Sequence, residues 1–324
     1  MTKIASFFTG AGGIDIAFEQ EGFQITYANE VDPYPAQIYD LNHEIKTTLK
    51  SIEDVKPQEV PKSDIYIAGF PCTDISIAGY RQGLWDDEGN YTRSGLYFEL
   101  LRIIKANKPP IIFLENVKNL VGHNNGETFN IIKESLTNLG YFVKYKVLNG
   151  MEYGNIPQNR ERIYILAFLD KNQYNLFEFP QKIPLTTKLF DVIDFFGDVD
   201  EKYYYTEGKY KGNIFDELSK AMEEESIDCP SVYQWRRIYV RKNQSGVVPC
   251  ICCNSGAGGH NLPLIKDSKG RIRKLTPKEC FNVQGYPKDY KYPNLSDARL
   301  YKAAGNSVVV PVVARIAHNL KNII

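Results

Sequence analysis

Cys72 stands in "GFPCTDIS", directly after Pro71 and an apolar run, where an extended segment gives way to a turn. A thiol there is a nucleophile if it is accessible and a positive neighbour favours the thiolate. Two other stretches hold partners for it. "LENV" closes an apolar run with Glu115 and Asn116, and "IPQNRERIY" carries Arg160 and Arg162 two residues apart, which one strand would put on one face. A thiolate that attacks, a carboxyl that handles a proton and guanidinium groups that steady charge form a set for covalent catalysis. A cysteine taken alone is more often a small packing residue. Here three chemically matched groups each stand at the end of a strand-like run, and that ordered set outweighs the packing reading.

Such a set needs strands to carry it. Up to about residue 170, the runs "KIASFF", "QITYANE", "DIYIAGF", "PPIIFLENV", "FVKYKVLN" and "RIYILAFL" alternate with helix-like stretches such as "LYFELLRIIKAN". The alternation predicts an α/β fold, a Rossmann-like mostly parallel sheet with crossover helices and ligands at the carboxyl ends of its strands. The opening "FFTGAGGIDIAFEQ" reads as strand, glycine turn and helix, so Gly10, Gly12 and Gly13 let backbone approach a ligand. Glu30, eighteen residues after Gly12, ends the next run and is suited to ribose hydroxyls. The G-x-G-x-x-G spacing is incomplete, which favours an adenosine-bearing ligand without a pyrophosphate over a dinucleotide. The other reading of these glycines is a tight turn that serves helix packing only.

Charge divides the chain. Residues 231–324 hold 16 Lys/Arg against 4 Asp/Glu; with 39 of each overall, residues 1–230 are left with 23 against 35. A basic final third on an acidic body suits a polyanion partner, and a solvated basic face is the alternative. From 187 to 230 the pattern loosens. "VYQWRRIYVRKNQ" then alternates like one strand, with Tyr233, Trp235, Arg237, Tyr239 and Arg241 on a single face, before the glycine-rich "NSGAGGHNLP". These features predict a smaller, irregular, β-rich second domain. The expected division is 1–186 for the first domain, completed by 303–324, and 187–302 for the second with its hinge. No apolar run is long enough to span a bilayer and no secretory signal is expected, so the chain is placed in the cytoplasm with reduced cysteines.

The series "FFTGAGG", "NEVD", "GFPCTDIS", "ENV", "QNRERIY", "RKLTPKECFNVQGYP" and "AGNSVVV", in this order, resembles the bacterial DNA (cytosine-5)-methyltransferases of restriction-modification systems. The likeness covers all but about 187–270, the family's variable target-recognition region. It implies methyl transfer from S-adenosyl-L-methionine, leaving S-adenosyl-L-homocysteine, to C5 of a cytosine flipped out of double-stranded DNA. By resemblance Cys72 is the thiolate that adds to C6, Glu115 acts at N3, Arg162 holds O2 with Arg160 beside it, and Asn116 orients the loop. The cofactor residues carried over are Phe8, Gly10, Gly12, Gly13, Glu30, Ser51, Ile52, Pro71, Leu96, Asn306 and Ser307.

For DNA the expected contacts are Ser76, Arg81, Arg236, Arg237, Arg241, Gly258 and Gly259, with arginines at guanine edges. Residues 76–95 read as a lid that orders on DNA. The chain departs from the family at Thr73, where glutamine is usual, and at Ser51, where many members have aspartate. The Cys250, Cys252, Cys253 and His260 group invites a zinc reading, but there is no second Cys pair and no metal is expected. A tRNA cytosine-5 methyltransferase and a catalytically silent DNA-binding regulator are the rival readings. The expected source is bacterial or phage-encoded, and a cognate restriction endonuclease acting separately is a further partner the resemblance allows.

Overall fold

The computed structural model describes residues 1–71, 84, 92, 94–210, 212–236, 238–255 and 262–324. These form two compact units, each assembled from separate stretches: Met1–Asn149, Glu161–Gln181 and Val312–Ile324 in the first, and Gly150–Arg160 and Lys182–Pro311 in the second.

In the first unit, β1 (Lys3–Phe7) leads through the glycine turn into α1 (Gly13–Gln20), then β2 (Gln24–Glu30), α2 (Pro33–Asn42) and the short β3 (Thr48–Leu49). The chain continues with β4 (Ile65–Gly69), α3 (Tyr97–Asn107), β5 (Ile111–Val117), α4 (Glu127–Asn138) and β6 (Phe142–Asn149). It leaves through α5 (Gly150–Tyr153) and β7 (Gln158–Asn159) of the second unit and returns as β8 (Glu161–Phe168), followed by α6 (Lys171–Leu176). The sheet order is β3-β2-β1-β4-β5-β8-β6. β3 to β5 run parallel, whereas β8 runs antiparallel to both β5 and β6. The expected mostly parallel sheet is therefore present, with one reversed strand. Connections diverge to either side of the β1–β4 pair, which opens a crevice at the strands' carboxyl ends. The central strands are buried on both faces: Tyr66, Ala68, Ile112, Leu114, Ile163 and Ile165 share a core with α3 and α4, while Phe18 of α1 meets Phe113 edge to face at 5.4 Å.

The second unit continues with α7 (Leu189–Val192), β9 (Tyr204–Tyr205), α8 (Ile214–Ala221), β10 (Tyr233–Trp235), β11 (Val240–Lys242), β12 (Val248–Pro249), β13 (Leu264–Lys266) and β14 (Ile272–Lys274). Helices α9 (Pro277–Asn282), α10 (Asp297–Asn306) and α11 (Val310–Lys321) close the chain, with α11 crossing into the first unit at Val312. An antiparallel sheet of order β11-β10-β13-β14-β9 packs Tyr233, Trp235, Leu264 and Ile272 against Leu218 and Met222 of the α8 segment. β7 and β12 form a separate parallel pair. "VYQWRRIYVRKNQ" is thus not one strand but the hairpin β10–β11, with Tyr233 opposite Lys242 and Trp235 opposite Val240. Alternation continues from one strand of the hairpin to the other, so the period alone does not show where a strand doubles back. The C-terminal apolar run is helix α11. No helix among the described residues is long and apolar enough to cross a membrane.

Candidate active site

Four strand ends build the site in the first unit. β1 ends at Phe7, and the chain then takes left-handed conformations at Phe8 (φ 53), Gly10 (φ 55) and Gly12 (φ 77), with Gly12 capping α1. A Cβ on Gly10 would meet nothing within 4 Å, so glycine is required there by backbone conformation, and the space beside it is open. Gly13 is the first residue of α1.

Glu30, at the end of β2, accepts the N–H of Gly10 at 2.8 Å on Oε2 and those of Val31 (2.8 Å) and Asp32 (2.9 Å) on Oε1. Burial pushes its carboxyl above the ordinary value, and the three N–H bonds pull the other way. These donors leave part of the acceptor capacity of Oε2 open. Ser51 leads into a short helical turn at Ile52–Asp54 and donates to Glu53 at 2.9 Å; Ile52 lies in the main core cluster. Leu96 packs against that cluster from the residue before α3, and Pro71 follows the end of β4.

At the end of β5 Glu115 is nearly buried, and Arg162 on the antiparallel neighbour β8 brings Nε to 3.2 Å from Glu115 Oε1. The register explains the meeting. Glu115 faces Tyr164 across the ladder and Val117 faces Arg162, so the pair is a diagonal one that long side chains can close. Gly69 stands opposite Glu115 on β4, where even a Cβ would come no nearer than ordinary contact, 3.5 Å, to Oε2. Asn116 is buried; its Nδ2 donates to the carbonyl of Phe70 at 3.1 Å and its Oδ1 accepts from Val117 N at 2.8 Å. It fixes the chain as it leaves β4 toward Pro71. Asn116 thereby steadies the β4 exit, not only its own loop.

Other expected residues are placed differently. Arg160 is not on the strand with Arg162: it lies between β7 and β8, in the second unit. Its guanidinium donates to the carbonyls of Ile251 (2.6 Å), Gly305 (2.9 Å) and Ser307, all in that unit. The two-residue spacing suggests a shared face only if the strand is continuous, and here it is interrupted. Asn306, exposed at the end of α10, and Ser307, whose hydroxyl meets Tyr286 Oη, also belong to the second unit. Arg236 and Arg241 are exposed on the hairpin. Cys72, Ser76, Arg81, Arg237, Gly258, Gly259 and His260, with most of 76–95, lie outside the described residues.

The sequence reading missed the support beneath the glycine turn. Asp15, in the first turn of α1, is fully buried and accepts from Ser6 Oγ of β1 and Tyr39 Oη of α2, each at 3.0 Å. His43 stacks on Tyr39 at 4.0 Å and meets Glu19 at 2.9 Å. An acid near a helix start ordinarily reads as exposed and dipole-compensating, so no sequence signal marks it. Burial pushes the Asp15 carboxyl up to about 6, against the opposing pull of His43 and the hydroxyl donors. Between about pH 4 and 6 the folded chain therefore keeps a proton that the unfolded chain releases, and stability falls as pH rises through that window. Asp15→Asn removes this dependence. Urea unfolding at several pH values should show the variant gaining on the wild type by up to about 3 kcal/mol from pH 4 to 7; parallel profiles would refute the assignment.

A profile of the C-5 cytosine-specific DNA methylases matches residues 2–322. The type II methyltransferase M.Bsp6I of Bacillus sp. (strain RFL6) is 50% identical over 321 residues, spanning 99% of this chain and 98% of the relative. M.HaeII of Haemophilus aegyptius is 36% identical over 323 residues, spanning 99% and 93%. Among solved structures, the Entamoeba histolytica methyltransferase EhMeth superposes with a TM-score of 0.72 at 19% identity, covering 99% of this chain and 98% of that one, which shows a shared fold. A sheet with its polar strand ends gathered at one crevice and a sequence match from end to end lead to one assignment: the chain belongs to the C-5 cytosine-specific DNA methylase family.

Proposed function

We propose that the chain transfers a methyl group from S-adenosylmethionine to C5 of cytosine in double-stranded DNA, within a restriction-modification system, through a transient bond from Cys72 to C6. The single observation that carries this reading is the buried Glu115–Arg162 pair at the end of β5, beside the β4 exit that precedes Cys72. The cofactor supplies an electrophilic methyl carbon on a sulfonium. The left-handed turn at Phe8, Gly10 and Gly12, open beside Gly10, and the unfilled acceptor capacity of Glu30 fit its methionine and ribose parts.

Cys72 adds to C6 of the flipped base. Glu115 donates at N3 and Arg162 holds O2, so the charge that builds on the ring as sulfur adds is met by a proton and a guanidinium. C5 thereby becomes nucleophilic; once it is methylated, loss of its proton expels the thiol. Ser51 and Ile52 would stand near the adenine, with Pro71 and Leu96 along the cofactor path. The second unit, with exposed Arg236 and Arg241 on its hairpin, would read the DNA, in the manner of a two-stranded ribbon entering the major groove.

The test uses plasmid DNA amplified with 5-fluorocytosine, which blocks proton loss from C5. With the methyl donor present, the protein should become covalently attached to that DNA, and peptide mapping should place the attachment at Cys72. Labelled methyl groups should enter unmodified plasmid and not tRNA. Transfer to tRNA alone would favour the RNA reading, and absence of any adduct would remove the thiol mechanism.

A further inference from the structure

The glycine turn hangs between two stems, and one buried acid fastens them. Ser6 precedes the turn on β1 and Asp15 follows it on α1. Asp15 Oδ2 accepts from Ser6 Oγ and Oδ1 accepts from Tyr39 Oη, each at 3.0 Å. From the other side β2 holds the turn's backbone: the N–H of Thr9 donates to the carbonyl of Asn29 at 3.1 Å, and that of Gly10 to Glu30 at 2.8 Å. Within the turn Thr9 is buried, and its Oγ1 has no hydrogen-bond partner among the described residues, a need that a polar group of a ligand would meet. The groups that face Asp15 are Tyr39 and His43 from α2, Glu19 from α1 itself and the neutral hydroxyl of Ser6 from β1. Both hydroxyls donate to one carboxylate, which requires the ionised acid. Once protonated the acid is itself a donor, and one of the two hydroxyls must turn round or let go.

With the glycine turn as the seat of the methyl donor, as proposed above, we propose that Asp15 is a positioning residue for S-adenosylmethionine: its carboxylate clasps β1 to α1 and so presets the turn that receives the methionine end. A preset turn spares binding the cost of ordering it. The clasp is complete only in the ionised form. Burial holds the carboxyl up at about 6, so the clasp opens as pH falls through that value and the methyl donor binds more weakly. The retained proton that favours the folded chain at low pH is thus the one that loosens its cofactor turn.

The experiment is calorimetric titration of S-adenosylmethionine into the full chain, as wild type, Asp15→Asn and Ser6→Ala, between about pH 5 and 7.5. Wild-type affinity should fall about tenfold across that range, following the fraction of Asp15 that stays ionised. Asp15→Asn, which stands in for the protonated acid, should bind about tenfold or more weakly at the upper end, and the gap should close toward the lower end. Glu30, whose carboxyl burial also pushes up, adds the same slope to both proteins, so the difference between them belongs to Asp15. Ser6→Ala keeps the acid but removes a donor that favours its charge, so its affinity should begin to fall at a higher pH, a readout that does not depend on how well Asp15→Asn folds. In turnover assays the Asp15→Asn loss should lie in KM for the methyl donor far more than in kcat or in KM for DNA. Parallel profiles for wild type and Asp15→Asn, or a Ser6→Ala midpoint that stays in place, with wild-type binding intact, overturn this proposal alone. A wild type that binds no methyl donor at any pH overturns the cofactor reading with it.

Discussion

Glu115→Gln should lower methyl transfer about 10²- to 10⁴-fold, the usual range for losing a positioned proton donor, while DNA binding and the fold persist. Glutamine has the shape of the carboxyl it replaces, and its amide oxygen can still face Arg162 Nε, now 3.2 Å from Oε1. What it lacks is a proton to give up as sulfur adds to the ring. The loss should appear in kcat and in single-turnover rates, with KM for DNA nearly unchanged, as expected for an interaction made in the transition state. The site's geometry supports a clean reading: Glu115 has the bare backbone of Gly69 opposite it on β4, so the substitution meets no new steric demand. A variant that retained more than a tenth of wild-type turnover would leave Glu115 as a structural partner of Arg162 only.

Arg273→Met should destabilise the protein by about 3–5 kcal/mol, the range for removing one partner of a buried pair. Arg273 is fully buried on β14, with Nη2 at 2.7 Å and Nη1 at 2.8 Å from the two oxygens of Glu279. It also donates to the carbonyls of Asp194 and Lys274. Glu279 in turn accepts from Thr276 N at 2.7 Å, Thr276 Oγ1 at 3.0 Å and Asp194 N at 3.0 Å, so it caps α9 and anchors the start of the second unit's long segment. Methionine fills much of the volume but leaves a carboxyl without its cation. Arg273→Met/Glu279→Gln should recover much of the loss, because neither member is then stranded. Urea midpoints for the two single variants and the double variant would show this; additive losses would mean that the pair is not coupled.

The parts of the fold that were legible are those whose physics is local. Glycines at 10 and 12 announce left-handed turns, and continuous apolar runs such as "IIFLEN" announce strands buried on both faces. Direction was not legible. "RIYILAFL" packs equally well running either way, and only the register shows β8 reversed, the orientation in which Arg162 reaches Glu115. The same blindness made the β10–β11 hairpin look like one strand. For the site, residue types at strand ends pointed to Glu115, Asn116 and Arg162, because polar groups at the ends of apolar runs are informative in themselves. Arg160 looked identical to Arg162 and differs because its partners, Ile251, Gly305 and Ser307, lie more than 90 residues away in the chain. Asp15 gave no signal, since its burial depends on α2 covering α1.

The alternation of the chain between units constrains how specificity can be transplanted. β7, only two residues long, is severed in sequence from the rest of its unit, yet Gln158 and Asn159 pair with Val248 and Pro249, and the next residue binds the carbonyl of Ile251. A chimera that swaps 182–311 as one block would split this pair between two parents. Grafts should carry 150–160 as well, or keep their downstream seam before Val248 so that the native β12 stays with its own β7.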